Sequence, residues 1–327
     1  MILGIETSCD DTCAAVVTRD GAIRSNVISS QGVHDRYGGV VPEVASRHHL
    51  ELIDAVVDDA LGRADATLDD VGLIAVTRGP GLVGALLVGL SSAKALAAAR
   101  ELPLAAVDHL QGHVAANFLG PAAFAPPFLC LVASGGHTFL ARVTAHEGFE
   151  VLGQTLDDAA GEAFDKGARL LGLPFPGGPP LELLARDGDP QAFAFPIAAG
   201  VAGLDFSFSG LKTALLYKLR EFEPGAAPLA DLAAAFQHAI VEALALRVER
   251  AIEQTGLRRV ALGGGVAANG PLRARIEALG DVEVHVPPRE LCTDNAAMIA
   301  SAARFTTPLA HPDYLALDAY PSGERPL

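Results

Sequence analysis

The order of apolar and polar positions along the chain predicts two similar runs of strands and helices. Each run opens with an apolar strand, a polar turn and a return strand, and in the second run the turn is Ser134–Thr138. The predicted strands cover residues 2–6, 13–18, 22–29, 128–133 and 139–144, with a further short strand after Gly148. The shared arrangement predicts two related halves, each with a hairpin turn whose exposed N–H groups suit phosphate or carboxylate oxygens.

Each half then has a strand, a glycine-rich loop and a helix in that order. Glycine lets the backbone approach a ligand closely, and proline suits a first helical turn, although a plain strand-to-helix connection accounts for the same residues. The predicted positions are residues 73–77, 79–81 and 82–100 in the first half, and 260–262, 263–269 and 271–279 in the second. An insert at about residues 157–250 reads mainly as helices, over 158–171, 180–185, 209–220 and 229–254.

Composition adds that this is an ordered α/β chain. Its 327 residues, 50% of them hydrophobic, suffice for two lobes with a sizeable core. The longest apolar run, Gly81–Leu90, is shorter than the roughly 20 residues of a membrane span, and no basic, signal-like start is visible. We therefore expect a cytoplasmic protein that does not involve a membrane. The four cysteines form no Cys-x-x-Cys pair, which argues against a disulfide framework or a zinc knuckle.

The net charge of −15 disfavours broad contact with nucleic acid, because phosphates are bound mainly by Lys and Arg. Any nucleic acid must meet a local basic patch or a partner's surface. One cluster, formed by Arg258, Arg259, Arg273 and Arg275, fits such a patch and fits a solvated surface equally well.

His109 and His113 stand four residues apart on a predicted helix, so both rings face one side and can share a metal ion. Asp294, just ahead of the apolar helical run 296–303, is the best third ligand. Two histidines and one carboxylate with open positions suit Fe(II) or Zn(II). His-x-x-x-His also occurs on ordinary helices, and Leu110 stands where zinc peptidases have their general-base Glu, which argues against peptidase chemistry by that route.

Eight separated motifs resemble the TsaD family, also known as Gcp or YgjD, in the expected order from Gly4 to about Ala300. They are Gly4–Thr12, Tyr37–Glu43, Gly79–Gly84, His109 with His113, Ser134–Thr138, Asp157–Lys166, Asp205–Lys212 and Cys292–Asn295. Ala133 stands where many relatives have Val, and Ala268 where Ser is frequent; neither change removes a ligand atom.

The resemblance implies a duplicated actin-like fold of the Hsp70 and sugar-kinase class (ASKHA), with two lobes around a nucleotide cleft. We expect residues 1–124 to form the first half and 125–292 the second, with the helical insert at about 157–250. A C-terminal helix at about 293–310 should pack back on the first half.

The resemblance also implies a metal-dependent acyltransferase that modifies tRNA. Such an enzyme moves the threonylcarbamoyl group from threonylcarbamoyl-AMP to the exocyclic amine of the adenosine 3′ of the anticodon, in tRNAs reading codons that begin with A. Family members work with a TsaB-like paralogue and a TsaE-like ATPase. Carried over by motif, the metal ligands are His109, His113 and Asp294. The expected ion is Fe(II), with Zn(II) as the second choice. The substrate-binding residues are Val132, Ala133, Ser134, Gly135, Gly136, Asp165, Gly178 and Asn269.

Three questions stay open at this stage. Asp10 and Asp11 are the main candidates for removing the amine proton, and His137 ranks after them. Either aspartate can instead simply order its turn through local hydrogen bonds. An actin-like ATPase or kinase would use the same fold, although Mg²⁺ prefers oxygen ligands to histidine. A non-catalytic scaffold of the same complex is the other alternative, and such a protein should lack the metal ligands and the triglycine loop.

Overall fold

The computed structural model describes residues 1–121 and 123–322, apart from the side chains of residues 35 and 36. The chain forms two compact units. The first comprises Met1–Ala125, His146–Gly148 and Thr293–Leu327, and the second Pro126–Ala145 and Phe149–Cys292. The residues after Cys292 thus belong to the same unit as the N-terminus.

Each unit is built on a five-stranded sheet with the same topology. Three consecutive strands form an antiparallel meander, and two later strands add in parallel beside the first of the three. The strands are β1 Ile2–Glu6, β2 Asp11–Val17, β3 Ile23–Ser30, β4 Leu73–Gly79, β5 Leu104–Asp108, β6 Phe128–Ala133, β7 Thr138–Val143, β8 Glu150–Gln154, β9 Arg259–Gly263 and β10 Glu283–His285. The spatial orders are β3-β2-β1-β4-β5 and β8-β7-β6-β9-β10. The predicted duplication is confirmed.

Helices cover the sheets and complete both cores. They are α1 Pro42–Arg63, α2 Val83–Ala99, α3 His109–Ala115, α4 Ala160–Leu170, α5 Gly178–Ala185, α6 Ser209–Leu219, α7 Leu229–Thr255, α8 Gly270–Glu277, α9 Arg289–Cys292 and α10 Ala296–Ala303. All five residues of β1 are buried, because α10 lies on one face of that sheet and α1 with α2 on the other. This continuous burial explains the unbroken apolar run at residues 2–5 of this strand.

Helix α7 is the central helix of the second unit. Alanine and leucine occur on most of its sides, and residues from Leu232 to Ala251 line the core. It ends at Gly256, whose φ of 71° suits glycine and whose N–H bonds the Ile252 carbonyl. Among the described helices, α7 is long and apolar enough to cross a membrane by length and composition, yet 67% of its most apolar window is buried inside the protein.

The predicted elements are present with shifted ends, and two differences from the prediction can be traced to particular residues. Helix α4 begins at Ala160 rather than Asp158, because the Thr155 hydroxyl bonds the Asp158 carbonyl and holds a turn there. The loop predicted at 263–269 contains a 3-10 turn over Gly265–Ala268. Gly264 starts this turn with φ 80°, and a Cβ there would lie 2.3 Å from the Ala133 carbonyl oxygen. Glycine is therefore required where β9 passes the end of β6.

Candidate metal centre

The two histidines of the predicted metal site lie on the short helix α3, which follows β5 directly. Asp108 ends the strand and caps the helix, because its Oδ1 accepts hydrogen bonds from the N–H groups of Leu110 (2.8 Å) and Gln111 (3.2 Å). His109 and His113 are four residues apart on the buried face of this helix. Their ring centroids are 4.7 Å apart, with the ring planes near perpendicular at 81°.

Asp294 reaches the histidines because α10 packs closely on α3 and β1. Asn295 caps α10 through a 2.9 Å bond from the Met298 N–H, which fixes the residue before it. A Cβ on Gly112 would lie 2.8 Å from Ile299, and one on Gly4 only 2.3 Å from the Ala296 carbonyl oxygen. These two glycines permit the close approach of the helices and the strand.

The potential ligand atoms of His109, His113 and Asp294 all lie within 4.8 Å of one another. Asp294 Oδ1 is 3.2 Å from His113 Nε2 and 3.6 Å from His109 Nε2. Both imidazoles are almost fully buried, whereas the aspartate side chain is 22% exposed. The site is thus a buried histidine pair with a carboxylate at its solvent side.

A second carboxylate, Glu6, contacts His109 at Nδ1, the ring nitrogen opposite the one near Asp294. Glu6 is fully buried at the end of β1, and its Oε2 lies 3.0 Å from His109 Nδ1. Glu6 also accepts hydrogen bonds from the Thr77 hydroxyl and the Ser8 N–H, each at 2.5 Å. A carboxylate at Nδ1 favours a proton on that nitrogen and leaves the Nε2 lone pair on the Asp294 side.

The charges around His109 favour a cation. Burial lowers the pKa of His109, but Asp294 and Glu6 outweigh that effect and raise it to about 9. Burial also raises the pKa of Glu6, but the charge and hydrogen bond of His109 outweigh burial, so the net shift is downward. Two carboxylates therefore act on one buried imidazole, and this part of the unit is electrostatically suited to positive charge.

His113 supplies an independent test of whether a metal fits. Its ring is buried, and neither ring nitrogen makes a hydrogen bond with any residue that the structure describes. The Asp294 oxygen is near enough to Nε2, but the geometry does not make a hydrogen bond. A buried polar atom without such a bond is costly, and a metal ion at Nε2 would satisfy it. The donor set N, N, O suits Fe(II) or Zn(II).

Asp10 and Asp11, the candidates for proton removal, lie in the same unit as the metal centre, Asp10 in the turn after β1 and Asp11 at the first position of β2. Burial raises the pKa of Asp11 to about 7; a hydrogen bond with Ser30 opposes this, and Asp294, Asp10 and Glu6 add to it. The Asp10 carbonyl accepts the N–H of Gln31 at 3.2 Å. The buried His49 supports the turn, because it bonds the Thr12 hydroxyl (2.8 Å) and the Cys9 carbonyl (2.9 Å).

The predicted substrate-binding turn lies in the second unit at the end of β6. Val132, Ala133 and Ser134 are buried, and Gly135 and Gly136 are exposed. The turn is closed by bonds from the Ser134 N–H to the His137 carbonyl (2.8 Å) and from the His137 N–H to Ser134 Oγ (3.1 Å). A Cβ placed on either glycine would meet no described atom within 4 Å apart from chain neighbours, so the Cβ side of the turn is open, whereas the Gly135 nitrogen lies close to Gly161.

The other three substrate-binding predictions are linked to this turn by a series of direct contacts. Asp165 on α4 accepts the Gly177 N–H at 2.6 Å, next to Gly178 at the start of α5. Asn269 caps α8 and donates to Glu182 of α5 at 3.1 Å and to Gln237 of α7 at 2.9 Å. Two glycine contacts close the series: Gly161 of α4 lies against Ser134, and Gly264 lies against Ala133.

Some functional neighbours were not predicted from the sequence. Glu6 and Thr77 received no role, although a carboxylate ending a fully apolar strand is an unusual feature that could have drawn attention to Glu6. Gln237 and Glu182, which fix Asn269, carry no local signal, because they lie 32 and 87 residues away in sequence.

The arginines suggested as a basic patch make contacts within the protein, and burial affects the four cysteine thiols. Among the four arginines suggested as a basic patch, three face carboxylates and Arg273 donates to the Ala267 carbonyl. This pairing favours the solvated-surface interpretation. Burial raises the pKa of all four cysteine thiols, so they are poor nucleophiles at neutral pH.

Solved structures with a similar fold include HypF from T. kodakarensis, with a TM-score of 0.61 and 16% identity, covering 92% of this chain and 46% of that one. Component A of (R)-2-hydroxyglutaryl-CoA dehydratase from Acidaminococcus fermentans has a TM-score of 0.58 and 16% identity, covering 93% of this chain and 96% of that one. At such identity these likenesses show the fold alone.

Sequence relatives cover the chain almost completely. A protein of Symbiobacterium thermophilum named tRNA N6-adenosine threonylcarbamoyltransferase is 53% identical, over 93% of this chain and 91% of its own length. A protein of the same name from Clostridium perfringens is 49% identical over 99% of both chains. The model of the TsaD family, described by that same name, matches residues 22–301. The chain therefore belongs to the TsaD family of tRNA N6-adenosine threonylcarbamoyltransferases.

Proposed function

We propose that this protein transfers the threonylcarbamoyl group of threonylcarbamoyl-AMP to the N6 amine of an adenosine in tRNA. The adenosine is the one 3′ of the anticodon in tRNAs that read codons beginning with A. Membership of the TsaD family supports the reaction, and the clustering of His109, His113 and Asp294 within 4.8 Å carries the proposal to particular residues.

The three clustered side chains would hold one divalent cation. Fe(II) is the preferred ion and Zn(II) is the second choice. When bound, such a cation draws electron density from an oxygen of the group being transferred, which helps a weakly nucleophilic aromatic amine to attack. Glu6 keeps His109 in the tautomer that leaves Nε2 available, through its 3.0 Å contact with Nδ1. The partly exposed Asp294 lies where a substrate can approach from solvent.

The second unit binds the adenylate. The exposed Gly135 and Gly136 offer backbone N–H groups to anionic oxygens, with Val132, Ala133 and Ser134 forming the rest of the turn. Asp165, Gly178 and Asn269, linked to this turn by the contacts described above, bind the nucleotide and its substituent. AMP leaves as an anion that such a turn stabilises.

Asp10 and Asp11 are the candidates for taking the proton from the amine. A carboxyl whose pKa is raised to about 7 by burial, as for Asp11, is suited to general base catalysis near neutral pH. The acidic charge of −15 also means that tRNA binds with help. We therefore place the protein in a cytoplasmic complex with a TsaB-like paralogue and a TsaE-like ATPase.

Labelling of tRNA tests this function. The chain is combined with those partners, tRNA and a system that makes the adenylate from ¹⁴C-threonine. The wild type should label tRNA, and His109→Ala and Asp294→Ala should each lower both bound metal and label by at least about 100-fold. His48→Ala is the matched control, since His48 lies on α1, 37% exposed beside Glu51.

Each alternative class gives a different result. A kinase or ATPase would turn over Mg-ATP without tRNA, and the label would stay absent. A scaffold would bind the partners while tRNA gained label only from another subunit, so both site variants would behave as the wild type. Normal labelling by either variant would contradict the site assignment.

A further inference from the structure

The last described segment of the chain, residues 309–322, lies along the first unit beside the metal centre. Leu309 pairs with Leu104 through two backbone hydrogen bonds of 3.0 and 2.8 Å. Further on, the Arg78 side chain donates to the Asp318 carbonyl at 2.8 Å, and the Ser322 N–H bonds the Gly81 carbonyl at 3.3 Å. The segment is therefore held against β5 and the loop that follows β4.

Tyr320 is the residue of this segment that reaches toward α3. Its side chain is buried, with the hydroxyl 2.7 Å from Asp108 Oδ2 and 2.9 Å from the Gly79 carbonyl oxygen. A hydroxyl has one proton, and the bond to the carboxylate is the shorter and is charge-assisted. Tyr320 thus donates chiefly to Asp108.

Gly79 makes room for this tyrosine. Its φ is 154°, and a Cβ there would lie 2.4 Å from the Tyr320 carbonyl oxygen and 2.8 Å from its ring. The first glycine of the Gly79-Pro80-Gly81 loop, considered from sequence as a ligand-approach position, is required here by the chain's own C-terminal segment.

Asp108 connects the tyrosine to the helix of the metal centre. One of its carboxylate oxygens accepts a hydrogen bond from the Tyr320 hydroxyl, and the other accepts hydrogen bonds from the N–H groups of Leu110 and Gln111, the second and third residues of α3. His109 is the next residue in the chain. Because both oxygens are held, the plane of the carboxylate is fixed. The start of α3 and the first turn, which carries His109, are fixed with it.

We propose that Tyr320 is a positioning residue for the metal centre. Through Asp108 it sets where α3 begins, and so where His109 and His113 present Nε2 to a divalent cation. The inference rests on the proposed metal centre, and it concerns the affinity and geometry of that centre rather than contact with substrate.

The test compares Tyr320→Phe with Tyr314→Phe. Tyr314 lies in the same segment and is fully buried, but its hydroxyl makes no hydrogen bond with the described residues, so its loss controls for removing a buried hydroxyl. Zn²⁺ affinity is measured by competition with a chelating dye, and the geometry of the centre by the visible absorption of bound Co²⁺. Tyr320→Phe should weaken Zn²⁺ about 3- to 10-fold and change the Co²⁺ spectrum, whereas Tyr314→Phe should match the wild type.

Asp108→Asn completes a double-mutant cycle. Asn keeps an oxygen for the helix cap but replaces the carboxylate charge that the tyrosine hydroxyl faces. If the two residues act as one unit, the Zn²⁺ affinity lost in the double variant should be clearly smaller than the product of the single losses. Independent effects would overturn the proposed route through Asp108.

The outcomes separate this inference from the function on which it rests. If the wild type binds neither Zn²⁺ nor Co²⁺, the metal centre is wrong and the inference falls with it. If the wild type binds both ions and Tyr320→Phe leaves affinity and spectrum unchanged, only the positioning role of Tyr320 is wrong. Thermal unfolding of each variant shows that the comparison is made on folded protein.

Discussion

At the residue scale, the orientation of His109 depends on Glu6, a carboxylate at the end of an otherwise apolar strand. The apolar pattern of residues 2–5 was enough to predict β1, and the four-residue spacing of His109 and His113 was enough to predict their shared face. What Glu6 contacts could not be predicted, because Thr77 and His109 lie 71 and 103 residues further along. Pairing over such distances depends on the whole fold.

Replacing Glu6 by Gln tests its orienting role. Its Oε2 accepts from both His109 and the Thr77 hydroxyl, so an amide NH₂ at that position would face donors. We expect Glu6→Gln to weaken Zn²⁺ binding about 10- to 100-fold, measured by dye competition. Glu51→Gln, on the exposed surface of α1, is the control. Wild-type affinity in Glu6→Gln would show that His109 needs no such partner.

Asp11 gives a prediction for pH. Because burial raises its pKa to about 7 from an ordinary value of 3.8, the folded state binds this proton more tightly than the unfolded state does. The wild type therefore loses stability as pH rises between those two values, and Asp11→Asn does not. We expect the variant's stability relative to wild type to increase by up to about 3 kcal/mol from pH 5 to pH 8, in urea unfolding. A difference independent of pH would contradict the raised pKa.

At the element scale, the centre exists because α10 lies closely on α3 and β1. The apolar run 296–303 matches α10, which spans Ala296–Ala303. The helix is shorter than the range of about 293–310 expected from the family resemblance, because Asn295 caps its start and Arg304 its end. The family resemblance predicted that this helix packs on the first half, but the sequence did not predict how closely, since Gly4 and Gly112 read as ordinary strand and helix residues. Their role is visible only from the 2.3 and 2.8 Å distances that an added Cβ would have to its neighbours.

Gly4→Ala should disturb this packing. The neighbouring atom is the Ala296 backbone oxygen, which cannot rotate away, so α10 must move at the end next to Asp294. We expect a loss of about 2–3 kcal/mol in stability together with weaker Zn²⁺ binding. Gly62→Ala on α1 is the matched control: nothing lies within 4 Å of its Cβ, and it should gain about 0.5–1 kcal/mol. Equal unfolding curves for the two variants would contradict this account.

At the scale of the whole molecule, the repeated layout of strands and turns predicted the duplication, because a buried sheet imposes the same apolar pattern wherever it recurs. The boundaries of the elements were predicted less well where a side chain decides them, as Thr155 does before α4. The substrate-binding residues were found through family motifs. Local pattern alone would not have joined Asp165 to Gly177 or Asn269 to Gln237.

The charge of the molecule leads to a prediction for tRNA binding. With a net charge of −15, and with four clustered arginines already engaged, the isolated chain should bind tRNA weakly, with a Kd above about 10 μM at physiological salt. Adding the TsaB-like and TsaE-like partners should strengthen binding at least about tenfold, measured by fluorescence anisotropy of labelled tRNA. Nanomolar binding by the chain alone would contradict a shared tRNA surface.

The central claim is that one divalent cation is held by two imidazoles of α3 and the carboxylate before α10. Anomalous diffraction from crystals of the metal-loaded protein, collected at the iron and zinc absorption edges, tests it most directly. We expect one strong peak within about 2.0–2.3 Å of His109 Nε2, His113 Nε2 and an Asp294 oxygen, and we expect it to be lost in Asp294→Ala. A peak at other residues, with none at these three, would contradict it.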